Sequence, residues 1–187
     1  QSLVDFGVNK KGEIRFGLAA IKGMGEAAAL AIINERQQNG PYADIYDFVE
    51  RISLSAINRR CLDSLALSGA LDCFGIAREQ YIEPDNKGVS FTEVLVKYGQ
   101  LYQQEKHQAQ NSLFGGFDDI EITKPQPSQV GEWSTIERLN KERDLVGIYL
   151  SAHPLDEYRI VLENLCNAHP GDVGRDGNRE ELAKLET

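Results

Sequence analysis

Residues 17–28 read Gly17-Leu18-Ala19-Ala20-Ile21-Lys22-Gly23-Met24-Gly25-Glu26-Ala27-Ala28: a short apolar helix, a Gly-x-Gly turn and a helix of small residues. The chemistry open to such a turn is anion binding by the main chain. Glycine permits positive φ, and without a Cβ a phosphate can approach the backbone N–H groups closely. The N-terminus of the second helix adds the positive end of its dipole. Lys22, Gly23, Met24 and Gly25 are therefore candidate phosphate-binding residues. Contacts of this kind grip a nucleic-acid backbone and carry no base sequence information. The same turn serves equally as a tight connection between two helices, and the glycines alone do not choose. A dinucleotide fingerprint is disfavoured, because the third glycine and a flanking βαβ unit are both missing.

Other cations could extend that surface. Lys10, Lys11 and Arg15 fall on an N-terminal ribbon and Arg59 and Arg60 at the start of a helix, although a solvated surface charge is the commoner fate of any single Arg. The chain has 20 Lys and Arg against 29 Asp and Glu, a net charge of −9, so it does not grip phosphates with its whole surface. The imbalance is uneven: residues 1–75 hold 8 basic against 9 acidic residues, leaving most of the excess negative charge to residues 76–187. The first part is the better candidate for nucleic acid.

Metal and acid–base chemistry find less support. Cys61, Cys73 and Cys166 show no Cys-x-x-Cys spacing, and His107, His153 and His169 do not join them in a ligand set. Free thiols in the cytoplasm are the expectation. His153-Pro154 has no nucleophile near it in sequence and is read as a turn. No carboxylate pair has the spacing of a two-metal site. No run approaches the roughly 18 apolar residues of a membrane span, and the chain, starting at Gln1 without an apolar leader, is read as an excised segment.

The elements that must position these residues are mostly helices. Residues 2–8 and 13–17, around a turn at 9–12, predict a β-hairpin. Helices are predicted over 25–37, stopped by Gly40-Pro41, and over 45–50 behind Asp44 as N-cap. Another is expected over 55–68, ended by Gly69, and a further short one over 77–82. A long polar helix over 89–108 carries a stripe of Phe91, Leu95, Tyr98 and Tyr102. Residues 118–130, with Pro125 and Pro127, are expected to be a poorly structured linker, and 133–150 returns to helix behind Ser134 with Glu137 as its capping-box partner.

The Gly-x-Gly element resembles a helix-hairpin-helix motif. The run 12–25, then Asn58-Arg59-Arg60-Cys61-Leu62 and Ser68-Gly69-Ala70-Leu71-Asp72, resembles the end of the fingers and the helix-hairpin-helix region of the C-family of bacterial replicative DNA polymerases. Glu142-Arg143-Asp144-Leu145-Val146-Gly147-Ile148-Tyr149-Leu150-Ser151-Ala152-His153-Pro154-Leu155 is similar to that family's E-x-L-G-x-Y-L-S-x-H-P-L segment. Gln110-Asn111-Ser112-Leu113-Phe114 resembles its Q-x-x-L-F clamp-binding peptide, with Gln110, Ser112, Leu113 and Phe114 as implied contacts and Asn111 departing from the usual leucine. Taken without the family, Leu113 and Phe114 would be read as folding back on a neighbouring helix.

The resemblance implies a mainly α fold: a tandem helix-hairpin-helix domain over 18–109 behind a β-hairpin at 1–17. A clamp-binding peptide and linker at 110–131 and a helical part at 132–187 leading towards an OB domain would come after it. It implies duplex DNA, the sliding clamp (beta subunit) and other replicase subunits as partners, no membrane, and a parent that is a DNA-directed DNA polymerase. This segment would carry no catalytic site and no cofactor, the Mg2+ of the palm lying elsewhere in the parent. Two other readings stand beside it. One is a helix-hairpin-helix repair glycosylase or nuclease, for which Asp44 or Asp47 would supply the acid; the other is a purely structural helical scaffold.

Overall fold

A computed structural model of the chain describes residues 3–8, 11–12, 14–111 and 122–158, and for 110, 111 and 157 the backbone only. Lys10, Ser112, Leu113 and Phe114 lie outside the described residues, as does the side chain of Gln110. The chain divides into two compact units, Gln1–Ser151 and Ala152–Thr187. The first unit therefore runs past the boundary expected at 131.

The first unit is mainly α, as expected. It opens with a two-stranded antiparallel ribbon, β1 (Gly7–Val8) and β2 (Ile14–Arg15), pairing Gly7 with Arg15 and Val8 with Ile14. The chain before β1 folds back over Gly17, where a Cβ would lie 2.4 Å from the Val4 carbonyl oxygen, so only glycine fits. Leu18 and Ala19 donate their N–H groups to the Leu3 and Val4 carbonyls, which fastens the start of the chain to the segment just after the ribbon. Four further helices precede the long one: α1 (Glu26–Asn39), α2 (Ile45–Arg51), α3 (Arg59–Leu67) and α4 (Arg78–Ile82). Then come α5 (Phe91–Asn111) and α6 (Thr135–Val146).

Side-chain caps start three of these helices, two of them, at Asp44 and Ser134, where the sequence placed them. Asp44 accepts the Asp47 N–H at α2, Asn58 the Cys61 N–H at α3, and Ser134 the Glu137 N–H at α6. Helix α3 begins at Arg59, later than expected, because 53–57 form a turn in which Ala56 and Ile57 donate to the Ser53 carbonyl. The predicted helix ahead of the Gly-x-Gly turn is only a 3-10 turn, Leu18–Ala20. The extended chain on one side and the glycine turn on the other leave no room for an α-helical turn to nucleate there.

Helix α3 is the centre of the unit and packs against α4, α5 and α6. Its face of Cys61, Leu62, Leu65 and Ala66 is buried, with Leu62 fully so, a burial worth about 1.5–3 kcal/mol for one such side chain. The stripe on α5 behaves as predicted: Phe91, Leu95 and Tyr98 are buried in the same core. Gln103 ties α5 to the end of α2 by donating to the carbonyls of Val49, Glu50 and Ile52 at 3.2, 3.3 and 2.8 Å.

Residues 122–130 have neither helix nor strand, but they are pinned along the surface, unlike the loose linker expected. Tyr46 donates its hydroxyl to the Pro125 carbonyl, Gln80 reaches the Ser128 carbonyl, and Lys124 pairs with Asp44 at 3.4 Å. The acceptors are main-chain carbonyls of the stretch, which the tyrosine and glutamine of neighbouring helices use.

The described part of the second unit is a turn followed by a single 3-10 turn, Asp156–Tyr158. His153 serves it as expected. Its N–H donates to Asp156 Oδ2 at 2.7 Å, and its Nδ1 accepts the Leu155 N–H at 3.2 Å.

Candidate nucleic-acid interface

The Gly-x-Gly turn is held from beneath by its apolar residues. Leu18, Ile21 and Met24 point into the core at 7, 6 and 5% exposure, while Lys22, Gly23, Gly25, Glu26 and Ala27 face solvent. Met24 is thus an anchor and not a ligand: its side chain is buried, and its N–H closes the turn on the Ile21 carbonyl at 2.9 Å. The expectation that it contacts a phosphate is corrected to that extent. Gly23 has φ +90°, as the turn requires, whereas Gly25 is extended at φ −78° and acts as the N-cap of α1.

The free donors are set by that arrangement. Gly25 provides no side-chain cap, so the first turn of a 14-residue helix is open. Among the described residues, no acceptor engages the N–H groups of Gly23, Gly25, Glu26 or Ala27. These are donors aimed outward beside a positive helix end, which is what a phosphate needs. The exposed Glu26 carboxylate on the same turn tempers the attraction. The Lys22 N–H is not among the donors, because it is bound to the Leu145 carbonyl of α6 at 2.9 Å.

Of the arginines, the fold brings Arg60 to the turn. Helix α3 runs under Gly23 so that Cys61 Sγ donates to the Gly23 carbonyl at 3.6 Å, and Arg60 Nε lies 3.8 Å from the place a Cβ on Gly23 would take. Arg60 is exposed and forms no ion pair with the described residues. Arg59 points the other way. A half-exposed side chain, it pairs with two acidic partners of its own chain, Glu93 at 2.8 Å and Asp63 at 3.8 Å. Lys11 and Arg15 are exposed on the ribbon.

The second hairpin, between α3 and α4, presents a different surface. Its Gly69 is left-handed at φ +80°, but a Cβ there would meet Arg78 Nη2 at 2.2 Å. The Arg78 guanidinium fills the space over this turn, bound to Asp72 Oδ1 at 3.0 Å and Oδ2 at 2.7 Å. It also pairs with Glu142 of α6 at 2.8 Å, Arg78 being 7% and Glu142 0% exposed. Burial acts to raise the Glu142 pKa, but hydrogen bonds from Ser151, Arg78 and Leu150 outweigh it and hold the carboxyl below its ordinary range. Sequence reasoning assigned Arg78 no role and read Glu142 only as part of a family segment. Their pairing spans 64 residues, and no local signal announces it.

The carboxylates that a glycosylase would need are otherwise engaged. Asp44 caps α2 and pairs with Lys124, while Asp47 accepts the Ala43 N–H and pairs with Arg51 at 2.9 Å. Among the described residues, no group of three His, Cys, Asp or Glu side chains could hold a metal ion, and no helix is long and apolar enough to cross a membrane.

Comparison with known proteins agrees with the geometry. Residues 1–81 match the family described as the helix-hairpin-helix motif. The chain is 35% identical over 92% of its length to the DNA polymerase III subunit alpha of Xylella fastidiosa. It is 36% identical over 87% of its length to the subunit of that name from Deinococcus radiodurans, and 35% over 83% to that of Vibrio cholerae. It spans only 12–13% of the length of these three relatives. The chain therefore carries a helix-hairpin-helix motif and corresponds to one segment of the DNA polymerase III alpha subunit family.

Proposed function

We propose that this segment holds duplex DNA by its backbone within a replicative DNA polymerase in the cytoplasm, and that it links the enzyme to the sliding clamp. The observation that carries the first half is the outward Gly23 turn, running into the uncapped start of α1 with Lys22 and Arg60 beside it. Such a site grips phosphates without reading sequence. Catalysis, and the Mg2+ it uses, belong on this reading to the rest of the parent protein, together with the other replicase subunits it contacts.

The clamp half rests on the peptide Gln110-Asn111-Ser112-Leu113-Phe114 and on what flanks it. Residues 104–109 of α5 are exposed, and the chain is pinned again from Ile122 onward, so the peptide follows one attachment to this body and precedes another in the sequence. Leu113 and Phe114 are suited to an apolar pocket and Gln110 to a hydrogen bond at its rim. A weak peptide contact becomes effectively intramolecular once DNA is held by polymerase and clamp together, which supports processive synthesis.

Anisotropy titration of a labelled duplex at several salt concentrations tests the DNA half. The parent chain binds weakly and independently of sequence. Lys22→Glu weakens binding and lowers the slope of log affinity against log salt by about one. Equal binding by the two would favour a structural scaffold. Surface plasmon resonance on immobilised clamp, comparing the parent with a Leu113→Ala, Phe114→Ala double variant, tests the other half, and equal responses would refute it.

A further inference from the structure

Helix α6 is far along the chain from the phosphate-binding turn, yet its last turn is bonded to it. The final carbonyls of an α-helix have no partner within the helix and require a donor from elsewhere. Gly147, left-handed at φ +87°, ends α6 by donating to the Arg143 carbonyl at 2.7 Å. The Leu145 carbonyl takes the Lys22 N–H at 2.9 Å. The N–H groups of Ile21 and Met24 are spent within the hairpin on the Leu18 and Ile21 carbonyls. Over residues 21–25 of the turn, the other hydrogen bond to a distant element among the described residues is the long one that the Gly23 carbonyl accepts from Cys61 Sγ.

The position of Leu145 is in turn set one helical turn earlier. Glu142 Oε1 accepts the N–H groups of Leu150 at 2.6 Å and Ser151 at 2.8 Å, while Oε2 accepts from Ser151 Oγ and from Arg78 Nη1 at 2.8 Å. All four acceptor directions of the carboxylate are used, a full complement for a buried ion. Arg78 carries the connection on to the end of α3 through the Leu67 carbonyl at 3.4 Å and to Asp72. The carboxylate thus clamps both the end of α6 and its following loop against the body that supports Gly23.

We propose that Glu142 is a positioning residue for the phosphate-binding turn, acting through α6 and the Leu145 carbonyl on the backbone of Lys22. This rests on the reading of that turn as the duplex-binding site. Glu142 touches no DNA: it fixes the residue ahead of Gly23, so that the outward amides of Gly23, Gly25 and Glu26 are held in one arrangement before a phosphate arrives. Preorganisation of this kind raises affinity by lowering the cost of ordering on binding.

The test pairs amide hydrogen exchange at Lys22, followed by NMR, with duplex titration of the same protein. Glu142→Gln keeps the shape, removes the charge and turns one of the two acceptor oxygens into a donor NH2. Circular dichroism is expected to show it folded, with Lys22 exchange at least tenfold faster than in the parent. Its duplex affinity falls severalfold while the salt slope stays unchanged, because no phosphate contact is lost; a lost Lys or Arg contact would lower that slope. Ser151→Ala, which removes one hydrogen bond to Glu142 and one to Arg78, gives a smaller shift in the same direction and serves where the first variant proves unstable. Unchanged Lys22 exchange in both variants overturns the proposal, as does faster exchange with undiminished duplex affinity. A parent that binds duplex no better than Lys22→Glu fails the functional reading instead, and the exchange data then report on their own whether Glu142 holds the turn.

Discussion

Gly23 and Ser64 approach so closely that no side chain fits between them: a Cβ on Gly23, whose φ is +90°, would meet Ser64 Oγ at 2.7 Å. Ser64 is on the buried face of α3, so this approach seats the Gly-x-Gly turn on the helix that organises the core.

Gly23→Ala is therefore expected to destabilise the protein by about 1–2 kcal/mol through its left-handed backbone alone, and to weaken duplex binding. Gly25→Ala provides the control. Gly25 is extended at φ −78° with open space around it, so that variant should stay within about 1 kcal/mol of the parent. Urea unfolding midpoints of the two variants measure the difference.

Arg78→Ala leaves the fully buried Glu142 carboxylate without its cation and is expected to cost about 3–5 kcal/mol. Asp72→Ala removes the other, half-exposed partner of the same guanidinium and should cost about 1 kcal/mol or less. Thermal unfolding of both variants beside the parent checks the ratio.

Acid should release the same contact. The Glu142 pKa is lower in the folded protein than its ordinary value of 4.5, so the pair's contribution is fully present above that pH and is lost as pH falls below it. A Glu142→Gln chain lacks this titration. The stability gap between parent and variant, followed by Tm against pH, should hold steady above pH 4.5 and narrow below it.

Asn58 accepts the Cys61 N–H at 3.1 Å and so starts the helix that carries Arg60. Asn58→Ala is expected to cost about 1 kcal/mol. Because the frayed turn holds Arg60, duplex affinity should fall with it, while Asp44→Ala at α2 should lower stability similarly and leave DNA binding unchanged. Denaturant melts and duplex titrations of the two variants decide this.

Helix caps and stops were legible in the sequence because they are local. Asp44 and Ser134 each bond an amide three residues on, and Gly40 and Gly69 end helices with positive φ, whereas the Asn58 cap and the Gly147 stop fall inside the helices expected over 55–68 and 133–150. The stripe on α5 was legible for the same reason of spacing. Met24 was misjudged as a ligand because its neighbours are glycines, whereas the direction of its side chain depends on the core beneath the turn. The 122–130 stretch was misjudged because its composition resembles a linker, while its anchors, Tyr46 and Gln80, belong to other helices.

The sequence by itself determined the helical elements, the Gly-x-Gly turn with Lys22 beside it, and the resemblance that points to a replicative polymerase, since each is written in neighbouring residues. Only the tertiary structure decided which cations and donors share a site. It set Arg60 beside Gly23, paired Arg59 with Glu93 and Asp63, and tied the Lys22 amide to Leu145. Pairing between residues far apart in the chain is settled by packing around α3 and by the need of buried groups such as Glu142 to find partners, and neither has a short-range signature.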